Sequence, residues 1–289
     1  MTSAILSVVC GLGGMFGWGI YDFFAGVYAK KIGAFKTFFW SQSAGFIFVL
    51  LLVPVFSITL DLSLLPLLLL PVAALFYSAG YLFFMKGFEK GNISVVAAVM
   101  NLWAVFTMLI AFIFMGQRLS VLQTIGVFMI ISGATLGSLN WDDIQNRNFH
   151  LTSGVKETVC GAFFFGSFWN ISEIISERIG WLLTTLFVKI GIVLFLLLFS
   201  FLVKRALALT ETTRKTRMIV VLMGILDAGA VALVNYGLTI GDAILITPIA
   251  SALSVVTIAM AMIFLKDKVN KLQGLGIVTA VSGIVVTGL

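Results

Sequence analysis

Charge is what this sequence has least of. Only 10% of its 289 residues are Asp, Glu, Lys or Arg, against about 25% in an ordinary soluble domain. A shell facing water on all sides cannot be built from so few charges. Histidine occurs once, as His150 in a loop, so no clustered metal-hydrolase site and no Ser/His or Cys/His pair is available inside the apolar segments. No phosphate-binding glycine loop and no nucleic-acid-binding domain is present. We therefore expect no enzyme, no cofactor and no metal. The two cysteines, Cys10 and Cys160, both lie within apolar runs and are expected to be buried as small apolar residues, without a structural disulfide. The opening MTSAILSVV lacks the basic stretch of a cleavable leader, so cleavage is not expected.

What is present is apolar. The chain is 61% hydrophobic, with a mean hydropathy of +1.15. Runs of about 20 such residues cross ~30 Å of hydrocarbon as helices. Ten spans are expected, near 4–28, 36–57, 66–88, 92–114, 120–139, 154–176, 181–203, 216–239, 243–265 and 271–288. The fold class is thus all-α, a polytopic membrane protein of ten transmembrane helices. Alternating barrel strands are absent. Most of the 18 basic residues fall in the loops after odd-numbered spans. Arg118 and Arg178 lie on the other face, and Lys189 lies inside a span. The basic loops are therefore expected in the cytoplasm, with both termini outside the cell (inner) membrane.

Residues 87–139 repeat as 237–289 at an offset of 150, without a gap and with 13 of 53 pairs identical. These pairs include Gly126/Gly276, Gln123/Gln273, Thr107/Thr257 and Gly133/Gly283. The earlier parts match at an offset of 147, as in Gly14/Gly161, Gly19/Gly166 and Gly33/Gly180. The division is 1–139, a connecting loop 140–153, and 154–289. Each half has five spans, an odd number, so the second enters the membrane from the opposite side. Loop charges follow: Arg118 alone after span 4, but Lys266, Lys268 and Lys271 after span 9. Such inverted repeats put a pseudo-two-fold axis in the membrane plane, a site near the midplane, and alternating access within reach.

The chain resembles the drug/metabolite transporter superfamily, EamA-type. The residues that carry this are Trp18-Gly19, Gly116-Gln117-Arg118-Leu119, Leu265-Lys266-Asp267-Lys268, Pro248, and the small-residue runs Gly126–Gly137 and Gly274–Gly288. The family's usual Glu is Gln117 in the first half, with Asp267 in its place in the second. The resemblance implies a ten-helix secondary carrier. Spans 1, 3, 4, 6, 8 and 9 would surround a cavity, 2 and 7 would be mobile walls, and 5 and 10 packing posts.

Polar groups inside a bilayer are costly, so they are site candidates. Trp18, Tyr21 and Asp22 share a face of span 1, as a ligand or proton site or as a structural carboxylate. Asn170, Glu173 and Glu177 form a stripe on span 6 beside Trp169, with Glu177 and Arg178 read as interfacial. Lys189 is open to three readings: substrate contact, pairing with Glu173 or Asp22, or snorkelling to the surface. Asp227, read as a lone midplane carboxylate, is the first candidate for proton coupling. Its counterpart Tyr77 shares a face with Tyr81, and the pair either faces Asp227 to hold an amine or amphipathic metabolite by cation–π contact or simply packs. Asn235 lies two turns beyond Asp227. Asn101 and Trp103 interrupt span 4, and Thr247-Pro248 interrupts span 9, at nearly equivalent places, as marks of a site or as packing kinks. Gly13/Gly17 and Gly133/Gly137 have spacing for close helix contact.

The expected function is secondary active transport of small metabolites, amino acids or similar compounds, outward and by alternating access. The alternatives are a proton-coupled cation or drug exporter using Asp22 or Asp227, a sugar carrier, or an assembly subunit. The partners are a small-molecule substrate, the lipid bilayer and protons, with no nucleic acid, for a monomer or homodimer.

Overall fold

A computed structural model describes residues 3–56, 63–90, 96, 99–139, 154–209, 212–266 and 270–288. The expected connecting loop 140–153, Ala98 and Asp267 lie outside the described residues. The helices are α1 (Ser3–Ile32), α2 (Ala34–Leu52, ending in a 3-10 turn at Val53–Val55), α3 (Leu64–Lys90), α4 (Leu102–Phe114), α5 (Val121–Ser138), α6 (Val155–Ile179), α7 (Trp181–Leu202), α8 (Arg214–Leu238), α9 (Ala243–Ser251), α10 (Leu253–Phe264) and α11 (Lys271–Gly288). The ninth expected span is α9 followed by α10. Among the described residues nine stretches are long and apolar enough to cross a membrane, and α4 is a shorter apolar helix. The chain is an all-helical, multi-pass membrane fold.

Residues shared between the repeats hold matching contacts. Gly33 and Gly180 each close a helix with positive φ, 90° and 80°, and their flanking helices turn there without a Cβ penalty. Ser120 and Gln123 form a reciprocal capping box at the start of α5. Asn270 and Gln273 do the same for α11, which explains the Gln123/Gln273 identity. Thr107 donates to the Gly166 carbonyl at 3.1 Å, and Thr257 to the Gly19 carbonyl at 3.0 Å. These are one contact made twice, each linking one half to the other.

The helices α5 and α11 pack backbone to backbone. A Cβ on Gly126 would come within 2.8 Å of the Gly283 carbonyl, and one on Gly276 within 2.7 Å of the Gly133 carbonyl. Gly13 and Gly17 lie equally close to α8, against Leu233 and Ala230.

Two expectations are corrected. Cys160 is exposed and only Cys10 is buried. Cys160 is on an outward face of α6, where an apolar thiol meets lipid at no cost. The interruption expected at Thr247-Pro248 is displaced. The helix runs through Pro248, which leaves its missing N–H without a break, and ends at Ser251. The chain turns at Ala252, one residue from the repeat equivalent of the turn at Asn101.

Candidate functional site

The polar residues converge on Asp227, buried in the middle of α8. Its Oδ1 accepts from Trp18 Nε1 and from the Tyr77 hydroxyl, both at 3.1 Å. Its Oδ2 accepts from Gln42 Nε2 at 2.8 Å and from the Lys189 ammonium, with which it forms an ion pair. Lys189 also donates to Gln42 Oε1 at 2.6 Å, and its Nζ lies 5.4 Å from the Tyr77 ring centroid. Four helices besides α8 supply these groups: Trp18 from α1, Gln42 from α2, Tyr77 from α3 and Lys189 from α7. Lys189 is wholly buried. A buried cation and anion are tolerable only when paired and hydrogen-bonded, and both conditions are met.

This arrangement revises three expectations. Asp227 is not a lone carboxylate. Lys189 neither snorkels nor pairs with Glu173 or Asp22; Asp227 in the next helix is the nearer anion. Tyr77 does not wait for a ligand's amine beside Asp227, because Lys189 is that amine.

Around this centre the other candidates separate into groups. Tyr21 is within hydrogen-bond distance of Ser41, at 3.2 Å. Tyr81 stacks on Phe38, with ring centroids 3.5 Å apart and planes at 7°. Trp18, Trp169 and Trp103 form a row, with centroid separations of 5.3 Å and 6.3 Å. Asp22 is half-buried and lies within electrostatic range of Asp227, Tyr77 and Tyr81. It joins no ion pair and accepts no hydrogen bond among the described residues. Asn235 accepts from Ser172 at 2.8 Å and donates to Thr185 at 3.0 Å, tying α6, α7 and α8. Asn170 donates to the Thr107 and Gly166 carbonyls. Asn101 reaches Ser138 at 3.5 Å.

Glu173 belongs to a second assembly, at the end of the molecule opposite the basic loops. Its Oε1 accepts from Gln117 Nε2 at 2.8 Å and from the Ala243 N–H at 3.2 Å. Gln117 Oε1 accepts from the Ile244 N–H at 3.1 Å. The first turn of a helix has free N–H groups, and Asp242 makes no side-chain cap for α9. Glu173 and Gln117 cap that helix from outside, so this end is latched across α4, α6 and α9. Glu177 and Arg178 are exposed beyond it. At the basic end, a cleft of about 430 Å³ lies between α2, α3 and α7, with Lys86 and Arg205 among its lining residues.

Sequence reasoning did not count Gln42, Ser172, Thr185 and Gln117 as site residues. Gln42 had a signal: an amide amid an apolar span, at the position equivalent to Lys189. Ser172 and Thr185 had none, since membrane helices commonly bond such hydroxyls to their own backbone.

The sequence profile described as the EamA-like transporter family matches this chain twice, over residues 5–139 and 152–289. The chain belongs to the EamA-like transporter family. It is a membrane transporter of small molecules, with the family's two-repeat build. Twenty-nine chains of solved structures match it. One, a crystal structure, superposes with a TM-score of 0.77 over 97% of this chain and 95% of its own, at 14% identity, a likeness of fold alone. No curated protein matches.

Proposed function

We propose that this family member is a secondary carrier that exports small metabolites bearing a protonated nitrogen and an apolar body, amino acids foremost, by alternating access. The observation that carries the reading is Asp22. Lys189 and Asp227 neutralise each other, so they present no net charge to a substrate. Asp22 is left without a counter-ion among the described residues, on the same helix as Trp18 and Tyr21 and in range of Tyr81. A carboxylate next to aromatic faces suits an ammonium group by charge and by cation–π attraction, and disfavours anionic metabolites.

The latch and the cleft support the direction. The basic loops mark the cytoplasmic side by the positive-inside rule. The latched end is then external, and the cleft at the basic end opens to the cytoplasm, where an exporter loads.

The test is flux in proteoliposomes with radiolabelled L-amino acids, with and without a proton gradient. Uptake or efflux of at least one amino acid is expected, reduced at least tenfold in Asp22→Asn. If none moves, while a lipophilic cation such as tetraphenylphosphonium is exchanged for protons through Asp22, the second reading, a cation exporter, replaces the first. Its favouring observation is the same unpaired carboxylate.

A further inference from the structure

We infer that the cluster of Lys189, Asp227, Gln42 and Tyr77 is a fixed hub on the pseudo-two-fold axis, kept closed throughout the transport cycle, and is neither a gate nor the coupling site. The inference rests on the alternating-access reading above and assigns this cluster a role within it.

The argument is one of symmetry. Gln42 and Lys189 are repeat equivalents at an offset of 147, and Tyr77 and Asp227 are equivalents at an offset of 150. Each touches its own equivalent, Lys189 to Gln42 at 2.6 Å and Tyr77 to Asp227 at 3.1 Å. A residue meets its own symmetry mate only on the axis. When the halves exchange conformations, every contact X–Y becomes the contact between the mates of X and Y. These two contacts map onto themselves.

The neighbouring contacts behave in the same way. The Gln42–Asp227 bond maps onto Lys189 beside the Tyr77 ring, and both exist together, at 2.8 Å and 5.4 Å. Trp18 on Asp227 maps onto Phe165 on Tyr77, and both exist together, at 3.1 Å and 4.9 Å. Close packing around the hub is paired too. Gly224 faces Ala44 while Gly191 faces the equivalent Ala74, with a glycine Cβ at 2.8 Å and 2.4 Å from the alanine Cβ. The Lys189–Asp227 ion pair itself maps onto Gln42 and Tyr77, which share no hydrogen bond. The other contacts named here have images formed at the same time, so exchange of the halves leaves the hub where it is.

The latch lacks this property. The mate of Glu173 is Gly26, which has no side chain and open space around its Cβ position. The contacts of the Glu173 carboxylate therefore have no image at the other end, so this end must open and close. Chemistry agrees with geometry, since opening the hub would strand a buried ammonium and a buried carboxylate.

The experiment uses the full-length protein in two parts. Site-specific 3-fluorotyrosine at position 77 is compared by fluorine NMR in two forms: one locked by an oxidised disulfide from Gln117→Cys with Ala243→Cys, and one unlatched by Glu173→Ala. One unchanged resonance is expected. A second resonance, or a shift between the forms, overturns the hub whether or not any substrate is known.

The second part is Lys189→Met with Asp227→Asn. With Lys189 gone the Gln42 amide turns over, so that the Asn amide donates to Gln42 Oε1 while its oxygen still accepts from Trp18 and Tyr77. Each single change is expected to lose folded protein. The double variant is expected to recover it, with flux of radiolabelled L-amino acids within threefold of wild type and the same response to a proton gradient. A folded double variant that has lost its proton response makes Asp227 the coupling group and overturns the proposal. Failure of wild type to transport counts against the proposed function alone, because the fluorine measurement still decides the hub.

Discussion

Lys189 and Gln42 hold equivalent places in the two repeats, on α7 and α2, and touch each other at 2.6 Å. The two copies thus differ at a point where they meet. Two lysines there would repel, and two glutamines would leave Asp227 uncompensated. One of each serves both sides of the carboxylate, since Gln42 accepts from Lys189 and donates to Asp227.

Gln42→Leu removes an acceptor from a buried ammonium and a donor from a buried carboxylate. A loss of about 2–3 kcal/mol is expected, measured by thermal unfolding in detergent. Ser43→Ala, one residue along and bonded only to the Phe39 carbonyl, should stay within about 0.5 kcal/mol. Equal effects would mean that the amide bridges nothing of consequence.

Glu173 and Gln117 hold α9 by its first N–H groups. Glu173→Ala removes one acceptor and the anchor of Gln117, so the latched end should open more often. A membrane-impermeant thiol reagent should then label Trp169→Cys several-fold faster than in the latched parent. The Gln117→Cys with Ala243→Cys disulfide should stop transport when oxidised and release it on reduction. Transport that continues through the closed disulfide would remove the latch from the pathway.

Much of the scaffold was legible because hydrophobicity and charge act over whole segments. Spans of about 20 residues and basic loops announce themselves without knowledge of any contact. The repeat was legible for the same reason, and its shared Gln123/Gln273, Gly126/Gly276 and Thr107/Thr257 prove to be paired caps and close contacts. The site was legible only as a list. Asp227, Lys189, Trp18 and Tyr77 each appeared as candidates, but their mutual bonding depends on the placement of five helices, which no spacing along the chain encodes. Lys189 and Asp227 are 38 residues apart and on adjacent helices, yet the pattern suited Asp22 or Glu173 equally well. Pro248 misled because a proline's free carbonyl is visible in sequence, whereas the turn at Ala252 depends on neighbours.

The repeat also marks a position that is not optimal. Gly116 ends α4 with φ of 71°, and its equivalent Lys266 ends α10 with φ of 59°. Only glycine adopts this left-handed conformation freely, and other residues lose about 1–2 kcal/mol there. Lys266→Gly should therefore stabilise the protein by about 1 kcal/mol, and Gly116→Ala should destabilise it by a similar amount. Both are read as shifts in the unfolding midpoint in detergent. A destabilised Lys266→Gly would mean that the Lys266 side chain contributes more than the backbone strain removes.

The pairing of α5 with α11 allows the sharpest test of the packing. A Cβ at Gly133 would fall 2.4 Å from the Ala280 backbone nitrogen, and one at Gly276 would fall 2.4 Å from the Gly137 nitrogen. Neither obstacle is a flexible side chain that can rotate away. The helices must part, and their close van der Waals contact, the main attraction between helices in lipid, is lost along the whole seam. Gly133→Val should cost about 1–3 kcal/mol from overpacking, and Gly276→Val should cost the same because the seam is symmetric. On α11 itself, Gly274 has open space around its Cβ position, so Gly274→Ala should be neutral or gain about 0.5–1 kcal/mol from helix propensity. Unfolding of the four proteins side by side separates a specific seam from a general intolerance of larger residues. Equal losses at Gly133 and Gly274 would show that close approach is not what these glycines provide.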